Sequence, residues 1–80
     1  MSGRAAGSGA RSTPASIRAN GRDHAVAAGT TVGDFVRSLG LDPRFVIVER
    51  NGEPLERARY DAVALVDGDR LELVRAVAGG

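Results

Sequence analysis

Reactive side chains are scarce in this chain of 80 residues. It contains no Cys, which excludes a disulfide framework, a thiolate metal site and a cysteine nucleophile. Its single histidine, His24, is too little for a zinc site or a Ser/His triad. No acid/base, metal or nucleophile constellation is present, so the chain is not read as an enzyme. What is left is the terminal stretch Ala78-Gly79-Gly80, a carboxylate reached through residues with little or no side chain. Glycine lacks Cβ and adopts backbone angles closed to other residues, so such an end can thread a narrow passage. Standing alone, the same dipeptide would be a frayed end. Its meaning depends on what precedes it.

Eighty residues make one domain with a thin core, because a chain of this size buries only about 60% of the surface its unfolded form exposes. A deep catalytic cleft is hard to build on that scale, and a binding or carrier role is favoured. All eleven basic residues are Arg and none is Lys, which with the abundance of Ala, Gly and Val reflects a GC-rich genome. Arg4 and Arg11 fall in the first fourteen residues, leaving nine Arg against ten acids in the rest. A body at −1 has no electrostatic footprint for nucleic acid. The apolar runs are far too short to span a membrane, and the polar start does not resemble a signal peptide, so the expected location is the cytoplasm.

Residues 1–14 are Gly, Ala, Ser and Arg without periodicity and read as a disordered extension. The domain is expected over residues 15–77, with 78–80 as a flexible tail. Residues 15–20 alternate around Ile17 and Ala19, and Asn20-Gly21 is a type I′ turn signal leading to a second strand over residues 22–26. Thr31 can cap a helix with Asp34 at its third position, and Val32, Phe35, Val36 and Leu39 form one apolar stripe. Gly40 and Pro43 end it, so a helix is predicted over residues 32–39. Residues 45–50 are a β-branched run bounded by Asn51-Gly52 and read as a central strand. A short edge strand is expected near residues 62–65, and Asp67-Gly68-Asp69 turns the chain into a last strand over residues 70–77. One helix on one face of a four- or five-stranded sheet is an α+β layer pair with the other face open.

Asn20-Gly21, Gly29-Thr30-Thr31-Val32, Leu41-Asp42-Pro43, Val48-Glu49-Arg50-Asn51-Gly52, Asp67-Gly68-Asp69 and Gly79-Gly80, in that order and spacing, resemble the ThiS family of sulfur carrier proteins. The resemblance covers residues 15–80. It implies a ubiquitin-like β-grasp fold, with a mixed sheet and one helix packed on one face. It also implies that an adenylating enzyme of the ubiquitin-activating type (ThiF-like) uses ATP to adenylate the Gly80 carboxylate. Sulfur then replaces AMP to give a thiocarboxylate, and a thiazole synthase (ThiG-like) takes that sulfur for the thiazole of thiamine. No cofactor is bound by the carrier itself. Gly79 and Ala78 would carry the reacting end through the partner's channel. Close alternatives are a carrier for molybdopterin or a secondary metabolite, a ubiquitin-like modifier, and a plain β-grasp interaction domain. The molybdopterin relatives usually carry prolines where this chain has Val74-Arg75-Ala76-Val77.

Strand parity points to a docking surface. With Glu49 facing water, Phe45 and Ile47 share its face while Val46 and Val48 point at the helix. On the last strand Leu71 and Leu73 are the expected core pair, leaving Glu72, Val74 and Ala76 on the open side. Phe45, Ile47 and Val74 would then form an exposed apolar patch of the kind that marks protein contacts. Val32, Val36 and Leu39 complete the expected core. Arg75 could pair with acidic groups of a partner, and His24 and Tyr60 are read as surface and packing residues.

Overall fold

The computed structural model describes residues 13–76. Strand β1 (Ala15–Ala19) and strand β2 (Arg22–Val26) form an antiparallel hairpin. Helix α1 (Val32–Ser38) follows, then a 3₁₀ turn over Pro43–Phe45, strand β3 (Val46–Arg50) and strand β4 (Glu53–Leu55). A second 3₁₀ turn spans Arg57–Arg59, and strand β5 (Arg70–Arg75) is last. The sheet order is β2-β1-β5-β3-β4, with β1 and β5 parallel and the other neighbours antiparallel.

Local chemistry sets these boundaries. Asn20 (φ 50°) and Gly21 (φ 80°) both take the left-handed backbone that a two-residue hairpin of this hand requires, and Asn51 (φ 54°) and Gly52 (φ 87°) repeat it between β3 and β4. At the helix start the Thr31 hydroxyl accepts from the Asp34 N–H while the Asp34 carboxylate accepts from the Thr31 N–H, a complete capping box. At its end the Gly40 N–H donates to the Arg37 carbonyl and the Leu41 N–H to the Val36 carbonyl, with Gly40 at φ 79°. That is a Schellman closure.

The core lies between α1 and one face of the sheet. Ile17, Ala19, Val46, Val48 and Leu71 from the strands meet Val32, Phe35 and Val36 from the helix. Tyr60 and Leu65 close it from the connection after β4, and the Tyr60 hydroxyl donates to the Val46 carbonyl at 2.7 Å. His24 is half-buried, edge-on to Phe35 with ring centroids 5.1 Å apart.

Four expectations need correction. Leu39 is 41% exposed rather than core, because the helix ends at Ser38 and the Schellman closure turns the backbone away; Leu41 packs inward instead. Leu73 is half-buried against the core, so Leu71, at 1% exposure, is the buried member of that pair. The edge strand is at Glu53–Leu55, not near residues 62–65. Pro54 is tolerated there because an edge strand has one side with no ladder to feed. Residues 60–65 run instead beside the helix start, where the Val32 and Gly33 N–H groups donate to the Val63 and Tyr60 carbonyls. Phe45 belongs to the 3₁₀ turn, so strand β3 starts one residue later than read.

Candidate functional site: the tail exit and the open sheet face

Ala78, Gly79 and Gly80 lie outside the described residues. What the structure defines is the platform from which they leave. Strand β5 occupies the middle of the sheet and is paired with β3 along its length, from Arg50↔Leu71 to Val46↔Arg75. The Ala76 N–H then donates to the Phe45 carbonyl at 2.7 Å, extending that pairing one residue beyond the strand. On the other flank β1 reaches only as far as Ala19↔Leu71. The Asn20 side chain continues where β1 stops. Its carbonyl oxygen accepts from the Leu73 N–H at 2.8 Å and its amide donates to the Leu73 carbonyl at 3.1 Å.

The start of β5 is fixed by Asp69, whose side chain is 3% exposed. Its carboxylate accepts from the Val66 N–H at 2.9 Å, the Asn51 amide at 3.0 Å and Arg50 Nε at 3.2 Å. Burial pushes this carboxyl group up; the Val66 and Asn51 hydrogen bonds and the Arg50 guanidinium outweigh that and hold it below the usual aspartate range. Asn51 also accepts from the Arg70 N–H at 2.9 Å, so the turn after β3 is tied to the first residue of β5.

Ile47 and Val74 are directly opposite each other across β3 and β5, 50% and 56% exposed on the open face. Phe45, 48% exposed, stands at the tail exit rather than in that strand pair, with the Arg44 guanidinium 5.4 Å from its ring centre. An open cleft of ≈ 620 Å³ lies there, bordered by Leu41, Asp42, Phe45, Val46, Arg75 and Ala76. The sheet register also sets Glu49 opposite Glu72, two residue pairs further from the tail than Ile47 and Val74, with the inward-facing Val48 and Leu73 between them. Asn20, Asn51 and Asp69 had shown only as turn residues in the sequence. Their reach into β5 has no sequence signal, because it depends on which strands become neighbours.

Among the described residues no group of three or more His, Cys, Asp or Glu is placed to hold a metal ion, and no helix is long and apolar enough to cross a membrane.

A five-stranded mixed sheet with one helix across one face is the ubiquitin-like β-grasp architecture. A computationally designed protein based on human ubiquitin shares it at a TM-score of 0.51 and 22% identity, covering 85% of this chain and 96% of that one. A crystal structure of the thiamine biosynthesis protein ThiS from Geobacter metallireducens is closer, with a TM-score of 0.68 and 34% identity over 81% of this chain and 99% of that one. The sulfur carrier protein ThiS of Bacillus subtilis is 40% identical over 65 residues, 80% of this chain and 98% of that protein. A thiazole synthase of Magnetococcus marinus is 41% identical over 64 residues, and there the matched stretch is 80% of this chain but only 20% of the synthase. The model of the ThiS family matches residues 15–80, through both terminal glycines. The chain belongs to the ThiS family.

Proposed function

We propose that this protein carries sulfur as a thiocarboxylate on Gly80 and delivers it for thiazole formation in thiamine biosynthesis. One observation carries the reading: the family match runs to residue 80, so the Gly79-Gly80 end is part of what the family shares. The Bacillus subtilis carrier is matched over nearly its whole length, which supports the same role for the whole domain.

A carboxylate is a poor electrophile. An adenylating enzyme of the ubiquitin-activating type joins the Gly80 carboxylate oxygen to the α-phosphorus of ATP and releases pyrophosphate. A sulfur nucleophile at the oxidation level of sulfide then attacks the carbonyl carbon, and AMP departs with the bridging oxygen. The product is a soft sulfur nucleophile at the end of a narrow arm. ATP is the partner's cosubstrate, and the chain is a substrate rather than a catalyst in each step. A thiazole synthase as acceptor is supported by the Magnetococcus marinus synthase, in which a stretch like this chain is part of the same polypeptide. Ile47 and Val74 on the open face, with Phe45 at the tail exit, supply the apolar contact on which these partners dock.

The test is incubation with the adenylating enzyme, ATP and sulfide, followed by mass spectrometry and transfer to thiazole synthase. Sulfur replacing one terminal oxygen, and its loss on transfer, are expected. A terminal carboxylate that stays unmodified under conditions that charge the Bacillus subtilis carrier refutes the reading.

A further inference from the structure

The cleft at the tail exit opens on the helix side of the sheet. Val46 and Arg75 are paired across β3 and β5 and so share a face, and Val46 is turned inward at 1% exposure. Arg75 follows Leu71 and Leu73 in the inward row of its strand, yet it is exposed, because α1 has already ended at Ser38. Among the described residues its guanidinium takes part in no ion pair and no hydrogen bond. The other charges at this end are already matched. Asp42 is held by Arg44 at 2.8 Å, and Arg57 donates to the Pro43 carbonyl at 3.3 Å. The cleft thus joins an apolar wall of Leu41, Phe45 and Val46 to one cation without an anion.

The chain itself supplies what such a cleft lacks. Ala76 is part of the wall, so the last residues leave directly from it. Four remain, Val77-Ala78-Gly79-Gly80. Alternation makes Val77 the next position of the inward row after Arg75, and it is apolar. Gly79 stands third of the four, where a type II turn needs a positive φ, and such a turn brings its first and fourth Cα atoms within about 7 Å. The Gly80 carboxylate is then returned toward the end of β5, within reach of the long Arg75 side chain.

We propose that the free domain keeps its tail folded into this cleft, with Val77 against Leu41 and Phe45 and the Gly80 carboxylate taken by the Arg75 guanidinium. The inference takes from the carrier reading that Gly80 bears the reacting carboxylate. Phe45 belongs both to the cleft wall and to the apolar contact on which partners dock. A partner that covers Phe45 therefore displaces Val77, and docking and release of the tail become one event. Because such a partner binds only the released form, the folded tail lowers its apparent affinity by the fraction of domains that are released.

The test is solution NMR of the labelled full chain without any enzyme. Order parameters of the Gly79 and Gly80 N–H groups should exceed about 0.6 in the wild type, and Val77 methyl protons should show Overhauser contacts to Leu41 and to the Phe45 ring. Arg75→Gln, at an exposed position, should keep the fold and return Gly79 and Gly80 to below about 0.6. Val77→Asn, outside the described domain, should release the same two glycines while Arg75 is intact. Salt at about 1 M, where the screening length is about 3 Å, should weaken the Gly80 contact in the wild type. Order parameters below that value in the wild type, or no contact from Val77 to Leu41 and Phe45, overturn the proposal. Contacts that appear only between differently labelled copies also overturn it, because the cleft would then hold the tail of a second chain. No charging step enters the measurement, so this proposal and the carrier reading fall separately.

Discussion

The side-chain amide of Asn20 grips both backbone polar groups of Leu73, accepting from its N–H at 2.8 Å and donating to its carbonyl at 3.1 Å. An amide side chain has the donor and acceptor of a peptide group, so Asn20 adds one more rung to the β1–β5 ladder after β1 has turned away. The residue is also at φ 50°, in the hairpin turn. Two substitutions separate these roles. Asn20→Gly keeps the turn and loses the rung, and should cost about 1–2 kcal/mol for two partly solvated hydrogen bonds. Asn20→Ala loses both and should cost about 1 kcal/mol more, from the left-handed backbone that only Gly and Asn accept readily. Denaturant unfolding of the three proteins checks the order. Hydrogen exchange at the Leu73 N–H should quicken in both variants.

The two leucines of β5 should differ. Leu71 is 1% exposed and belongs to the buried core, so Leu71→Ala should cost about 2–5 kcal/mol. Leu73 is half-buried, and its truncation should cost about 1–2 kcal/mol on the apolar area it covers. Equal losses in urea titrations would mean that the two sit in equivalent environments.

Acid should loosen the start of β5. Asp69 is held below its ordinary value of 3.8, with burial opposing and the Val66, Asn51 and Arg50 contacts prevailing. A carboxylate depressed in the folded state contributes stability that is complete above the unfolded value and is lost as pH falls through the native one. Asp34, depressed by its hydrogen bonds to Thr31, and Asp42, lowered to about 2 by Arg44, act in the same direction, but both are open to solvent and screened. Stability should therefore be flat down to about 3.8 and decline below it. Asp69→Asn should be less stable in neutral solution and decline less in acid. Chemical unfolding across the acid range measures both effects.

Gly80 should matter for reaction and not for folding. Its deletion leaves the described domain untouched and should change stability by no more than about ±0.5 kcal/mol. It should abolish ATP–pyrophosphate exchange by the adenylating enzyme, because the new carboxylate stops about 3.3–3.6 Å short on an extended arm. Gly80→Ala keeps the length but adds a methyl group beside the reacting carbon, and should be slow. Gly79→Val should be severely impaired, its branched side chain entering the channel with the tail. Exchange of labelled pyrophosphate ranks all three against wild type.

The elements written in neighbouring residues could be read from the sequence with little loss. Asn20-Gly21, the Thr31–Asp34 capping box and Gly40 each depend on contacts within a few positions, and the structure places all three as their chemistry requires. Strand parity also put Val46 and Val48 inside and Ile47 and Val74 outside. Elsewhere the determining partner is distant in the chain. Residues 60–65 are organised by backbone bonds to Thr30, Val32 and Gly33, and so took a path that local composition does not encode. The same holds for the site. The apolar rung follows from alternation along each strand, whereas the Asn20–Leu73 clasp, the burial of Asp69 and the facing of Glu49 with Glu72 exist only once β5 has settled between β1 and β3.

That central placement of β5 has a mechanical meaning. Tension applied to the tail by an enzyme drawing it inward runs along the strand axis and loads the bonds to β1 and to β3 together, in shear. Were the tail attached to an outer strand such as β4, the same pull would peel bonds one after another from the end. The domain can thus serve as a rigid handle, transmitting force from a partner's channel to its own sheet while the core behind it stays closed.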